Sequence, residues 1–399
     1  MAKAVSAPAS QPDAATRPPA RFATRGHDAA ASRVAQLLTG VPPHALLIVG
    51  PRGAGAGTLA RDVVATLLCM SPQIGGACGE CRACRLVAAE SHADLARISP
   101  SGAADEIGIT PIRELEASLA LLPVEGGRRV ALVERADRMS EPAQNALLKT
   151  LEEPPAQTHI ILAAAEDSSL LPTIRSRCAV IRLGLPDPAA ASELIATRLG
   201  LDAATATRLL RMSGGRPGPL IDAGASGDAA RAHAALRRQI LDFVGVAPHA
   251  RLRQLPALIA DASAILSVAI VDGEEGGTEE GGEPEGADAA PESAATSTKK
   301  SPAKRAGGKP TPAERRANAK ALLHLWRGVA RDLALVASSA PASVAFPEDL
   351  HELTPVAARC AQTTWRDALI SLDRALAALR RNGNPELLLD AIALRWPRG

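Results

Sequence analysis

The chain has 399 residues, of which 46% are hydrophobic and only 2% aromatic, with no Tyr, three Phe and three Trp. At about 150 residues per domain this is two or three domains, with an interior built from Ala, Leu, Val and Ile, which favours helices and α/β layers over an aromatic-rich β-sandwich. Lys and Arg number 45 against 43 Asp and Glu, so global charge does not mark a nucleic-acid-coating protein, and without a run of roughly 18 apolar residues no membrane-spanning helix is expected.

Residues 1–24 read as a disordered tail. They mix Ala, Ser and Arg with Pro and Asp, a weak likeness to a transit peptide, and they have no apolar centre of a secretory signal. Residues 44–49, His-Ala-Leu-Leu-Ile-Val, form an apolar run between Pro43 and Gly50, which predicts a buried strand. The Gly-rich segment 50–57 follows, and then Leu59, Val63 and Leu67 recur every fourth residue, the period of a helix. Residues 128–133 and 159–164 are two further apolar runs, separated by helical patterns. That rhythm predicts a parallel sheet with helices on both faces, ending near Pro186.

Residues 187–224 read as a small helical unit divided by Gly200 and by the segment 214–218, Gly-Gly-Arg-Pro-Gly. Helical periodicity continues through 225–270. The composition then breaks: residues 272–292 hold nine acidic and no basic residues, and residues 299–316 hold seven basic and one acidic. Such blocks bury too little apolar surface to fold, so 271–312 is expected to be a disordered charged tether, its basic half also suited to touching nucleic acid. Leu322, Leu325, Val329, Leu333 and Val336 restart a helical stripe, which makes 313–399 the continuation of a helical domain begun at 225.

Two features carry chemistry. A phosphate-binding loop needs glycines so that backbone N–H groups wrap the phosphate, a Lys to neutralise it and a Ser or Thr to hold Mg²⁺. Gly50, Gly53 and Gly55 supply the turn between strand and helix, but Ala56 stands at the Lys position and Gly57 at the hydroxyl position. Thr58 is one residue late, about 100° around the helix. The segment therefore reads either as a plain tight turn or as a nucleotide loop that has lost its chemistry. The second strand ends Glu134-Arg135-Ala136-Asp137. Glu134 has the reach of a metal ligand, whereas Arg135 stays protonated and is no base.

The other feature is Cys69, Cys78, Cys81 and Cys84, a spacing that suits a structural Zn²⁺ with no open position. Flanking Arg82 and Arg85 favour thiolates. Disulfides and unrelated buried thiols are the competing readings. Cys178 and Cys360 read as small hydrophobes.

Residues 145–155, Asn-Ala-Leu-Leu-Lys-Thr-Leu-Glu-Glu-Pro-Pro, and 171–178, Leu-Pro-Thr-Ile-Arg-Ser-Arg-Cys, follow the loop and the four cysteines in order. Together these resemble the bacterial DNA polymerase III clamp-loader subunits of the AAA+ superfamily, strongly over 25–225 and more weakly beyond. Residues 382–390 resemble the last helix of the family's collar. The resemblance implies an α/β AAA+ core at 25–186 with a zinc-binding insertion, a helical lid at 187–224, and an all-helical collar at 225–270 and 313–399. The family's nucleotide-sensing arginine would fall near Pro217, beside Arg216. Arg177 would reach into a neighbouring subunit's ATP site.

Two branches share these motifs. The gamma/tau motor needs an intact Lys, an Asp-Glu pair and a Thr after the third strand, where this chain has Ala56, Glu134-Arg135 and Ala164-Ala165. The resemblance thus implies the delta-prime branch: no ATP hydrolysis by this chain, structural zinc, gamma/tau and delta partners, and a cytoplasmic role in loading the sliding clamp onto primed DNA within a DNA-directed DNA polymerase holoenzyme. The alternatives are an ATP-hydrolysing gamma/tau-type motor and a zinc-bearing interaction or DNA-binding protein on a degenerate AAA+ fold. The segment before Arg177, residues 170–174, is expected to be helical and surface-facing.

Overall fold

The computed structural model describes residues 22–73, 75–101, 105–125, 127–262, 265 and 311–399. Most of the expected tail and nearly all of the expected charged tether lie outside the described residues. The chain divides into two compact units, Met1–Ala225 and Ser226–Gly399.

The first unit is built on five parallel strands: β1 (Ala45–Val49), β2 (Leu95–Ile98), β3 (Arg129–Glu134), β4 (Thr158–Ala164) and β5 (Ala179–Arg182), in the spatial order β2-β3-β4-β1-β5. Central strands of a parallel sheet are covered on both faces, so they are continuous apolar runs rather than alternating ones. β1 and β4 are buried at every position, with Ala45 opposite Ile160 and Val49 opposite Ala164. The three apolar runs foreseen from sequence are β1, β3 and β4. β2 and β5 are additions: four-residue edge strands, mostly half-exposed, whose composition carries little strand signal.

Alternate residues serve opposite faces of the sheet. Leu47, Val49, Ala131, Val133, Ile160 and Leu162 pack against α4 (Ile109–Leu119), α5 (Glu141–Glu152) and α6 (Pro172–Arg177). Leu46, Ile48, Val130, Leu132 and Ile161 pack against α1 (Asp28–Thr39) and α2 (Ala56–Leu68). A short α3 (Arg82–Ala88) belongs to the cysteine insertion. Three helices complete this unit, α7 (Pro188–Leu199), α8 (Ala203–Met212) and α9 (Gly218–Asp222). Asp187 and Asp202 cap the first two by accepting backbone N–H bonds from Ala190 and Thr205. A parallel α/β core followed by helices is what the sequence led us to expect.

The second unit is all-helical among its described residues: α10 (Gly227–Asp242), α11 (Pro248–Ala262), α12 (Pro312–Ala337), α13 (Leu350–Ala357), α14 (Gln362–Arg380) and α15 (Pro385–Arg395), with short 3₁₀ turns between. Thr311 and Glu314 form a reciprocal capping box at the start of α12. α12 is the axis of this core. Its Trp326 is fully buried and meets Phe243 and Trp396 edge-to-face, so the few aromatics of the chain are concentrated here.

Candidate functional site

The Gly-rich segment lies at the carboxyl end of β1, an inner strand between β4 and β5, on the side where ligands of open parallel sheets bind. Gly50 donates its N–H to Ala164 O at 3.0 Å, and a Cβ at Gly50 would come 2.8 Å from Leu183 Cβ, so only glycine lets β1 and the end of β5 converge. Gly53 has φ of 78°, a conformation that favours glycine. Here the loop meets the helical appendage. Gly218 donates its N–H to Gly53 O at 3.0 Å, and the Pro219 ring lies so close that a Cβ at Gly53 would be 2.3 Å from its Cδ. His27 Nε2 bonds Ala54 O at 2.7 Å from the other side. Ala56 opens α2 and is 8% exposed, its methyl part of the core beside α1. Gly55 (φ 125°) precedes it, and Thr58 is half-buried in the first helical turn. The loop is a glycine-rich turn between a strand and a helix, with Pro219 packed against Gly53 and a methyl group at position 56.

Glu134 ends β3 on the same face of the sheet. Both carboxylate oxygens are engaged. Arg61 Nε donates to Oε1 at 2.9 Å, and Arg97 donates to Oε2 through Nε at 3.0 Å and through NH2 at 2.6 Å. The Glu134 carboxylate, although desolvation of Arg97 opposes it, holds that guanidinium above its ordinary range. Both oxygens with which Glu134 could hold a metal are thus paired with guanidiniums. Arg135 adopts φ of 55° and forks onto Asp105, with NH1 to Oδ1 at 2.7 Å and NH2 to Oδ2 at 2.5 Å. Asp137 accepts from Ala165 N at 2.8 Å and so ties the loop after β3 to the end of β4. Arg216 is buried, with Nε donating to Ser213 O within the appendage. Arg61, Arg97, His27 and Pro219 carry no signature in the sequence that marks them for these roles.

Arg177 is the last residue of α6. The segment before it differs from the expectation: the helix starts at Pro172, and Leu170 and Ile174 are core residues at 2% and 0% exposure, because they close the sheet face covered by α5. Thr173 and Ser176 face outward. Arg177 folds back, NH1 donating to Thr173 O at 3.0 Å and NH2 meeting Glu152 Oε1 at 2.6 Å. Cys178 packs on the same core, and burial pushes its thiol up to about 12, which leaves it unreactive.

Cys69, at the end of α2, meets Cys78, Cys81 and Cys84 with all four sulfurs within 4.8 Å of one another. The Cys69–Cys78, Cys69–Cys81 and Cys78–Cys84 sulfur separations are 3.5, 3.9 and 3.9 Å. Four sulfurs about 2.3 Å from a tetrahedral Zn²⁺ stand about 3.8 Å apart, so the cluster fits that ion, and all six cysteines of the chain are free thiols. Backbone N–H groups of Cys78, Cys81 and Cys84 donate to the sulfurs of Cys69, Cys78 and Cys81. Burial raises the Cys69 and Cys84 thiols. At Cys81 burial is outweighed by N–H bonds from Cys84 and Met70, which bring it down to about 6. Arg82 does not serve the thiolates as expected. It pairs with Glu125 at 2.8 Å, and the Glu125 N–H in turn donates to the fully buried Asp94. The cysteine insertion is thereby fastened to the loop before β3.

With this geometry in hand, comparison with known proteins finds that a family model described as DNA polymerase III, delta subunit, matches residues 28–186. The DNA polymerase III subunit delta' of Pseudomonas aeruginosa is 43% identical over 175 residues, 44% of this chain and 53% of that protein. The delta' subunit of Escherichia coli is 37% identical over 185 residues, 46% and 55% of the two chains. A tau/gamma subunit of Haemophilus influenzae is more distant, 35% identical over 153 residues and 22% of its length. The chain thus spans about half the length of the delta' relatives it matches. Among solved structures, a gamma subunit-related protein of Thermotoga maritima is 17% identical with a TM-score of 0.40, covering 92% of this chain and 99% of that one.

Proposed function

We propose, from the match of residues 28–186 to a family model described as DNA polymerase III, delta subunit, and from the likeness to delta' subunits at 37–43% identity, that this chain is a non-hydrolysing subunit of a clamp loader and helps to load a sliding clamp onto primed DNA. In this reading it assembles with gamma/tau-type and delta subunits in the cytoplasm, as part of a polymerase holoenzyme, and acts as an enzyme only within that assembly. Among the described residues no helix is long and apolar enough to cross a membrane. Residues 25–186 would be the core, 187–224 the lid, and 225–270 with 313–399 the collar.

The observation that supports the non-hydrolysing reading is a phosphate-type loop with Ala56 in place of a lysine and Glu134 engaged by two arginines. Pro219 abuts Gly53, Ala56 brings no charge, and the Glu134 carboxylate is held on both oxygens by Arg61 and Arg97. Water activation and Mg²⁺ binding both lack their groups. Gly50, Gly53, Gly55, Ala56, Thr58 and Glu134 are then the remnant of a nucleotide site. Cys69, Cys78, Cys81 and Cys84 would hold a structural Zn²⁺, which supplies a cross-link and no chemistry because four protein ligands leave no open position.

The chemistry would reside in Arg177, delivered to a triphosphate bound by the neighbouring subunit. A fixed guanidinium there stabilises the charge that shifts in the transition state, and such arginines elsewhere contribute on the order of 10³–10⁵ in rate. Only one of several ATP sites would border this chain, so the loss in a whole loader is smaller. The test is reconstitution with purified gamma/tau and delta. The isolated chain is expected to show no ATPase, and the assembled Arg177→Ala complex a clamp- and DNA-stimulated ATPase reduced at least several-fold with zinc content unchanged. Turnover by the pure chain would point to a motor. A chain that binds DNA alone and joins no complex would point to an independent DNA-binding role.

A further inference from the structure

The guanidinium of Arg177 is parked on its own subunit. Glu152, the final residue of α5, holds NH2 at 2.6 Å, and the Thr173 carbonyl holds NH1 at 3.0 Å. α5 and α6 share one core through Leu147, Leu151 and Ile174, each no more than 2% exposed, so packing sets the two helix ends that carry the pair, while both side chains project to the surface. The Arg177 side chain is 34% exposed and that of Glu152 is 51% exposed. An ion pair this open is weak and exchangeable, whereas a triphosphate offers several negative charges and acceptor oxygens arranged for a guanidinium fork.

We propose that Glu152 is a positioning residue for Arg177: it keeps the guanidinium folded back until a nucleoside triphosphate on the neighbouring subunit displaces the carboxylate. The proposal rests on the in-trans reading of Arg177. Its consequence is a population effect. While part of the ensemble is parked, the neighbour's nucleotide meets a competent arginine only in the remaining fraction, and its apparent affinity is lowered by that fraction. Glu152 therefore sets how much triphosphate is needed to engage the arginine and leaves unchanged the transition state reached once it is engaged.

The experiment uses the reconstituted loader with Glu152→Gln, which keeps the length and an acceptor oxygen but removes the charge. KM for ATP is expected to fall by about 1.5- to 5-fold, the strength of an exposed ion pair, and the change appears in KM rather than kcat. Glu152→Asp, which restores the charge, should return KM toward the starting value. In an Arg177→Ala background, Glu152→Gln should have no further effect. An unchanged KM in Glu152→Gln, with Arg177→Ala still lowering kcat, would overturn the parking role and leave the in-trans arginine standing. The same KM shift in the Arg177→Ala background would also overturn it, since Glu152 would then act by another route. Arg177→Ala without effect on kcat would remove the in-trans reading and this proposal with it.

Discussion

At position 56 a methyl group stands where a phosphate-binding loop carries an ammonium, and in the proposed reading that replacement does not act alone. Ala56→Lys should leave the purified chain without ATPase above background, because Glu134 stays clamped by Arg61 and Arg97 and Pro219 still abuts Gly53. A steady-state phosphate-release assay on the variant checks this. Arg135, in the left-handed conformation, has its own use in the fork to Asp105. Hydrogen bonding to Arg135 holds the Asp105 carboxyl below its ordinary range. A carboxyl depressed in the folded state adds stability that is present above the unfolded pKa, near 3.8, and is lost as pH falls through the folded value. Asp105→Asn should remove that component: between pH 5 and about 2 its urea midpoint should fall less steeply than that of the parent chain. The pair is exposed enough that the difference will be small.

Among the elements, the cysteine insertion is the one whose order should depend on a ligand. Its sulfurs come from the end of α2, the turn at Cys78 and Cys81, and α3, and its apolar content is slight beside that of the sheet. Elemental analysis should give one Zn²⁺ per chain. Chelation, or Cys81→Ser, should strip hydrogen-exchange protection from the amides of α3 while those of β1 and β4 stay protected, since the buried faces of the sheet do not include the cluster. Metal release should also become easier on acidification, because ligation needs all four sulfurs as thiolates. A metal-free protein with full protection of α3 would contradict the assignment.

For the molecule as a whole, each unit carries its own core, and the helical one contains a buried charge network. Arg237 is 2% exposed at its side chain and Asp332 0%, joined at 2.9 Å, with Asp349 taking the Arg237 Nε at 2.9 Å. Phe346 lies under the same guanidinium, 4.4 Å from ring centroid to Cζ, and Asp332 also accepts the Ala345 N–H. Asp332→Ala should destabilise this unit, by less than the ~3–5 kcal/mol that follows when a buried charge loses its only partner, because Asp349 still holds the Arg237 Nε; the effect is read as a shift in denaturant midpoint. Replacing both Arg237 and Asp332 with apolar residues of similar volume should cost less than Asp332→Ala alone.

Much of the fold was written locally. β1, β3 and β4 are continuous apolar runs because central parallel strands are covered on both faces, and the four-residue rhythm of Leu59, Val63 and Leu67 is α2 because all three face one core. The cysteine spacing alone pointed to a tetrahedral cluster, and Ala56 alone marked a loop without its cation. β2 and β5 were illegible, since short edge strands need no apolar run. The fates of Glu134 and Arg177 were equally hidden. Arg97 lies 37 residues from Glu134 in sequence, and Arg61 lies 73, so only the pairing of β2 with β3 and the packing of α2 across the sheet bring those guanidiniums to one carboxylate. Glu152 was visible as part of a motif, but the motif does not say that two helix ends meet. Local residue type and period determine which elements form and which reactive groups are present or missing; which of those groups neutralise one another is decided by distance in space, and that belongs to the tertiary structure.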